Sequence, residues 1–214
     1  MNEFKKYVDR KCALRFMGFR GEAPDSFKII LEECEAALCE EATPRSVYVV
    51  KDKEEVSDIL IGNDIASHLS DSCKVAVFAA TLGSRVDALI SRYQSIDVTK
   101  ALVTDAEASA AIETYCDEMM KEISSRTRSS LTSRFSPGYG DYPLGIQKEL
   151  LGLIDAERKI GLTSGESFML APSKSVTAII GLSDGDTVRE ADTCGKCEMK
   201  DTCAFRKEGD RCEI

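Results

Sequence analysis

The sequence predicts an α+β fold with a mainly antiparallel sheet and flanking helices, followed by a charged, Cys-rich C-terminal tail. Strand-like and helix-like segments do not alternate strictly, as a doubly wound parallel sheet would require. The last apolar runs, 166–170 and 176–183, are separated by only a Pro172-Ser173-Lys174 turn and read as hairpin-connected strands. Beyond residue 183 the chain becomes polar and gathers four of its nine cysteines. This divides it into a domain over 1–183 and a tail over 184–214.

With 214 residues and 43% hydrophobic composition, the chain can bury one substantial core. Its net charge of −9 opposes binding to nucleic acid or to an acidic membrane surface. The start, Met1-Asn2-Glu3-Phe4-Lys5-Lys6, lacks the apolar core of a signal peptide, and no uninterrupted apolar run reaches the length of about 18 residues that would span a bilayer. A cytoplasmic location and reduced thiols are therefore expected. Cys12, Cys34, Cys39, Cys73 and Cys116 fall within apolar or helical patterns and read as small core residues.

Residues 3–19 and 24–42 read as helices broken apart at Gly21 and Pro24. The second opens at Pro24-Asp25 and carries Phe27, Ile30, Leu31, Cys34 and Leu38 at spacings of three and four. The stretch 46–51 is β-branched and aromatic enough for a strand, 56–61 is ambiguous, and 64–70 suits a short helix holding His68. A strand over 74–80 runs through Thr81-Leu82-Gly83-Ser84 into a helix over 85–93; without a fuller glycine signature this is an ordinary strand-helix turn. The longest helix covers 98–123, with Leu102, Ala106, Ser109, Glu113, Cys116, Met120 and Ile123 on one stripe. Glu113 is the misfit there. A carboxylate among apolar residues requires a cation, supplied by a ligand or by Arg126, Arg128 or Arg134.

Arg134-Phe135-Ser136-Pro137-Gly138-Tyr139-Gly140-Asp141-Tyr142-Pro143 concentrates turn formers, a fixed cation and two phenols. Pro137-Gly138 suits the centre of a type II turn. Arg134 can hold a carboxylate through two parallel hydrogen bonds, and Tyr139 beside exposed glycine backbone offers a stacking face and open amides. The alternatives are a site for a nucleoside amino acid and a plain loop joining a strand to a helix. Asp141 and Pro143 then open a helix carrying Ile146, Leu150, Leu153 and Ile154, which ends near Gly161.

From Arg134 to Ser183, through Gly145-Ile146-Gln147-Lys148-Glu149-Leu150-Leu151 and Thr163-Ser164-Gly165-Glu166-Ser167-Phe168-Met169-Leu170-Ala171-Pro172, the chain resembles the reactivation domain of cobalamin-dependent methionine synthase. In that family an Arg-x-x-x-Gly-Tyr element binds S-adenosylmethionine. The resemblance implies a bent sheet, with Arg134 on the methionine carboxylate, Glu113 on its ammonium, and Tyr139 with the Gly138 backbone on the nucleoside. It departs at Gly140, Asp141 and Tyr142, where the family has proline after Gly-Tyr and then a pair of small residues. His68 lacks the Asp-x-His-x-x-Gly setting in which corrinoid-carrying domains ligate cobalt and reads as structural.

The function implied is a free-standing factor for reductive remethylation of cobalamin. Its partner would be a cobalamin-binding methionine synthase or another corrinoid protein, with an electron donor such as flavodoxin or ferredoxin. The other reading is a module that senses S-adenosylmethionine or docks a corrinoid protein without methyl transfer. A conventional methyltransferase would need a glycine-rich loop after a first parallel strand. In the tail, Cys194, Cys197, Cys203 and Cys212 make a four-thiolate set for an iron-sulfur cluster or zinc, the alternative being a disordered or redox-active thiol tail.

Overall fold

The structure is a computed structural model and describes residues 3–19 and 23–184. Its main sheet has four antiparallel strands in the order β1-β2-β6-β3: β1 (Arg45–Asp52), β2 (Lys74–Thr81), β6 (Ser175–Ser183) and β3 (Ser130–Leu131). A two-stranded ribbon, β4 (Thr163–Ser164) with β5 (Leu170–Ala171), stands apart. Central β2 reads Val75-Ala76-Val77-Phe78-Ala79-Ala80, apolar on both pleated faces, and all six residues are fully buried. A strand so composed must be covered on both sides.

Both sides are covered. Ala76, Phe78 and Ala80 pack with Ala178 and Ile180 of β6 against α2 (Asp25–Glu41), α4 (Ser84–Ile96) and α5 (Val98–Thr127). Val75, Val77 and Ala79 pack with Ile179 against α3 (Asn63–His68), α6 (Gln147–Ile154) and α7 (Ala156–Ile160). The result is three layers, helices over each face of an antiparallel sheet.

Several expectations need correction. The N-terminal helix over 3–19 is broken: a 3-10 turn over Glu3–Tyr7 precedes α1 (Arg10–Phe16), because Asp9 Oδ1 accepts from Lys11 N and Cys12 N and caps a fresh helix. The ambiguous run after β1 is another 3-10 turn, Lys53–Ile59. The helix expected up to Gly161 breaks at Asp155, whose positive φ of 56° separates α6 from α7. The strand expected over 166–170 is instead the turn of the β4–β5 hairpin: Phe168 N donates to Gly165 O, Phe168 has a φ of 62°, and pairing begins only at Leu170. Strand β6 is therefore not the second arm of that hairpin; its neighbours are β2 and β3. Of the five cysteines expected in the core, Cys73 is exposed and Cys12 half-buried.

Thr81-Leu82-Gly83-Ser84 is an ordinary structural turn, in which Gly83 N donates to Thr81 Oγ1 and Thr43 N to Leu82 O. Among the described residues, no helix is long and apolar enough to cross a membrane.

Candidate functional site

Helix α5 ends at Arg128, in the left-handed conformation, and the chain turns into β3 at the edge of the sheet. Between the pairs Leu131↔Leu182 and Phe135↔Ile179 this strand holds one more residue than β6, which makes a β-bulge. Thr132 satisfies the bulge: its N–H donates to Gly181 O at 3.0 Å and its Oγ1 accepts from Gly181 N at 2.9 Å. Because side chains alternate along a strand, one inserted residue reverses which face each later side chain meets. Leu131 accordingly packs on the α5 side, whereas Phe135 packs in the opposite layer. Arg134 swings back to α5.

There Arg134 meets two carboxylates one helical turn apart. Nη2 donates to Glu113 Oε2 at 2.6 Å and Nη1 to Asp117 Oδ1 at 2.5 Å. The Arg134 side chain is 16% exposed, Glu113 27% and Asp117 55%. Of the three arginines considered for Glu113, the structure brings up Arg134. The buried carboxylate of α5 is a different residue, however. Leu102 is exposed, the helix buries Thr104, Glu107, Ala108, Ala111 and Tyr115, and Glu107 is the acid with no exposure. Ala106, Cys116 and Ile123 of the expected stripe are buried, but α1 and α2 cover the helix's first half more widely, so the buried surface extends to Val103 and Ala110 as well.

The segment after Arg134 forms the turn that its sequence requires. Tyr139 N donates to Ser136 O at 3.1 Å and Gly138 has a φ of 95°, as the third position of a type II turn demands. Tyr142 N then donates to Tyr139 O, and Gly138 N to Tyr142 O, closing a compact double turn. Gly138 and Tyr139 lie exposed at its tip, with Ile61 and Leu144 as further exposed apolar residues.

The residues that depart from the family pattern fasten this loop down. Asp141 accepts from Asn63 N at 2.7 Å and Asp64 N at 3.0 Å, while Asp64 accepts from Asp141 N at 3.0 Å. Hydrogen bonds from the Asp64 and Asn63 amides hold the Asp141 carboxyl below the usual carboxylate range. Gly140 allows this approach, since a Cβ there would come within 2.1 Å of Asp64 Oδ2. Tyr142 is buried against the α6 layer. His68 is structural, as expected: its Nε2 donates to Ser133 O at 2.9 Å and its ring lies 4.9 Å from that of Phe135. Sequence reasoning missed Asn63, Asp64 and Asp117; the acid four residues after Glu113 was the available signal.

Chemically, a cation and an anion in contact at a half-buried position suit an α-amino-acid zwitterion, and an exposed phenol on glycine backbone suits a flat ring. A cleft of about 650 Å³ lined by Phe4, Tyr7, Arg45, Tyr115, Met119 and Lys159 includes no residue of the 134–142 loop. Among the described residues, no group of three or more His, Cys, Asp or Glu side chains is placed to hold a metal. Cys194, Cys197, Cys203 and Cys212 lie outside the described residues.

Sheet, two helical layers and edge loop together define an α+β domain of a known type. The structure is similar to the crystal structure of the MetH reactivation domain bound to AdoHcy, with a TM-score of 0.61 and 15% identity, over 97% of this chain and 83% of that one. This chain has the fold of that domain. No family model matches the sequence, and no curated protein matches it.

Proposed function

We propose that this protein binds S-adenosylmethionine at the Arg134 loop and supports reductive remethylation of cobalamin carried by a separate corrinoid protein. The observation that carries the reading is the contact between Glu113 and Arg134, opposite charges set side by side next to the Gly138-Tyr139 turn. It is supported by the fold shared with a reactivation domain whose structure contains AdoHcy. Arg134 holds the methionine carboxylate, Glu113 the ammonium, and Tyr139 with the Gly138 backbone the nucleoside. The protein's contribution is then positional. Holding the methyl donor in line with cobalt makes the transfer effectively unimolecular, an effect worth up to about 7–11 kcal/mol.

The partner in this reading is a cobalamin-binding methionine synthase or a similar corrinoid protein, and flavodoxin or ferredoxin supplies the electron. Residues 1–183 form the binding domain and 184–214 an appendage in which Cys194, Cys197, Cys203 and Cys212 ligate an iron-sulfur cluster or zinc. The protein is incubated with a cobalamin-loaded partner, a low-potential reductant and methyl-labelled S-adenosylmethionine. Label on cobalt supports reactivation; binding without transfer identifies a sensing module; no binding in a calorimetric titration removes both and leaves only docking of a corrinoid protein. Anaerobic reconstitution with metal analysis and an absorption spectrum tests the tail, and absence of both iron and zinc leaves a thiol tail in which Cys194 and Cys197 form a reversible disulfide.

A further inference from the structure

The geometry points to Asp117 as a specificity-determining residue that competes with the ligand carboxylate for Arg134. The inference rests on the proposed binding of S-adenosylmethionine. Both terminal nitrogens of Arg134 are already engaged, Nη2 by Glu113 and Nη1 by Asp117. An incoming carboxylate held by two parallel hydrogen bonds from Nη1 and Nη2 competes for a guanidinium already paired with two acids, and it binds at the expense of one of them.

The two acids are unequal. Glu113 is the better shielded, at 27% exposure, and keeps a purpose after binding because it can turn to the ligand ammonium. Asp117 is 55% exposed, in a high-dielectric setting where an ion pair is weak and easily exchanged. It is the arm that gives way. In the unliganded protein Asp117 holds the guanidinium in place, as a substrate carboxylate would, so the cation need not be reoriented when ligand arrives. Ligands without a carboxylate cannot displace it and meet a loop whose cation is already neutralised. Asp117 thus narrows the preference for ligands that carry a carboxylate, because its competition with that group weakens them alone.

The sign of one substitution separates this from general electrostatics. S-adenosylmethionine carries one carboxylate against an ammonium and a sulfonium, so it is a net cation, and removing a nearby negative charge should weaken it if only the overall field matters. If Asp117 competes for Arg134, removing that charge should tighten it. The test is calorimetric titration of the full chain, wild type, Asp117→Asn and Asp117→Ala, with S-adenosylmethionine and with its decarboxylated analogue, each variant checked by circular dichroism.

Asp117→Asn is expected to bind S-adenosylmethionine about two- to five-fold more tightly, the range an exposed ion pair converts to, and the decarboxylated analogue no more tightly than wild type. Asp117→Ala should follow the same pattern. Unchanged or weaker binding of S-adenosylmethionine by both variants, with wild-type binding intact, overturns the role of Asp117 and leaves the proposed site standing. Equal tightening of both ligands also overturns it, because the effect would then not pass through the carboxylate. Failure of the wild type to bind either ligand overturns the site itself.

Discussion

Arg134 Nη2 donates to Glu113 Oε2 at 2.6 Å, joining the edge loop to α5 across 21 residues of sequence. Neither side chain is fully buried, yet each occupies the place that the other's charge requires. The internal ion pair of the structure and the binding pair of the proposed function are the same two residues.

Replacing Arg134 by alanine should weaken S-adenosylmethionine binding by about 2–4 kcal/mol, the loss of a charged two-point contact. Lysine should restore only part of it, because an ammonium cannot present two parallel donors. The measurement is calorimetric titration with circular dichroism as the folding control; unchanged affinity in a folded Arg134→Ala protein would sink the assignment.

Glu113→Gln should lower affinity for S-adenosylmethionine more than for a ligand lacking the amino group. It should also cost a modest amount of stability, at most about 1 kcal/mol, since the pair with Arg134 is only partly shielded from solvent. Normal binding of both ligands alongside a drop in melting temperature would make Glu113 purely a structural partner.

Removing Asp141 should release the loop from α3. Its carboxyl is held below the ordinary range by the amides of Asp64 and Asn63, so it gives up its proton more readily folded than unfolded. That contribution is fully present above the unfolded pKa of about 3.9 and is lost as pH falls through the lower folded value. Asp141→Ala should lower the melting temperature at pH 7, and the gap to wild type should close in acid. Faster amide exchange at Tyr139 and Tyr142 should accompany it. A gap that persists at the acid end would assign the effect to something other than this carboxylate.

Glu107 shifts in the opposite direction. Burial first, and then the nearby Glu35 charge, push its carboxyl from 4.5 up to about 8 against the opposing pull of Arg10. Its oxygens have no hydrogen-bond partner among the described residues. A raised carboxyl pKa means that the fold prefers the neutral acid: the cost is absent below about pH 4.5 and grows as pH rises to about 8. The shift corresponds to roughly 4–5 kcal/mol at the upper end. Glu107→Met should therefore stabilise the protein more at pH 8 than at pH 5, by about 2–4 kcal/mol of difference in denaturant melts. Parallel pH profiles for wild type and variant would show that Glu107 is charged within the fold.

The sequence by itself determined the central buried strand and the turn at Pro137-Gly138. The buried strand 75–80 is apolar at every position, and Pro137-Gly138 left the chain little choice but a type II turn. Their physics is local: dihedral preference and the hydrophobicity of consecutive residues. The tertiary structure decided which residues of these elements meet. Spacing along α5 marked Glu113 as the buried acid, but the packing of α1 and α2 gave that place to Glu107 and left Glu113 at the rim. A single bulge residue after β3 turned Arg134 toward α5 and Phe135 to the other face. Gly140 and Asp141, departures from pattern when read as sequence, became a brace once α3 folded against them. Such outcomes depend on the relative positions of segments distant along the chain, and the free energy that fixes those positions is summed over the whole core.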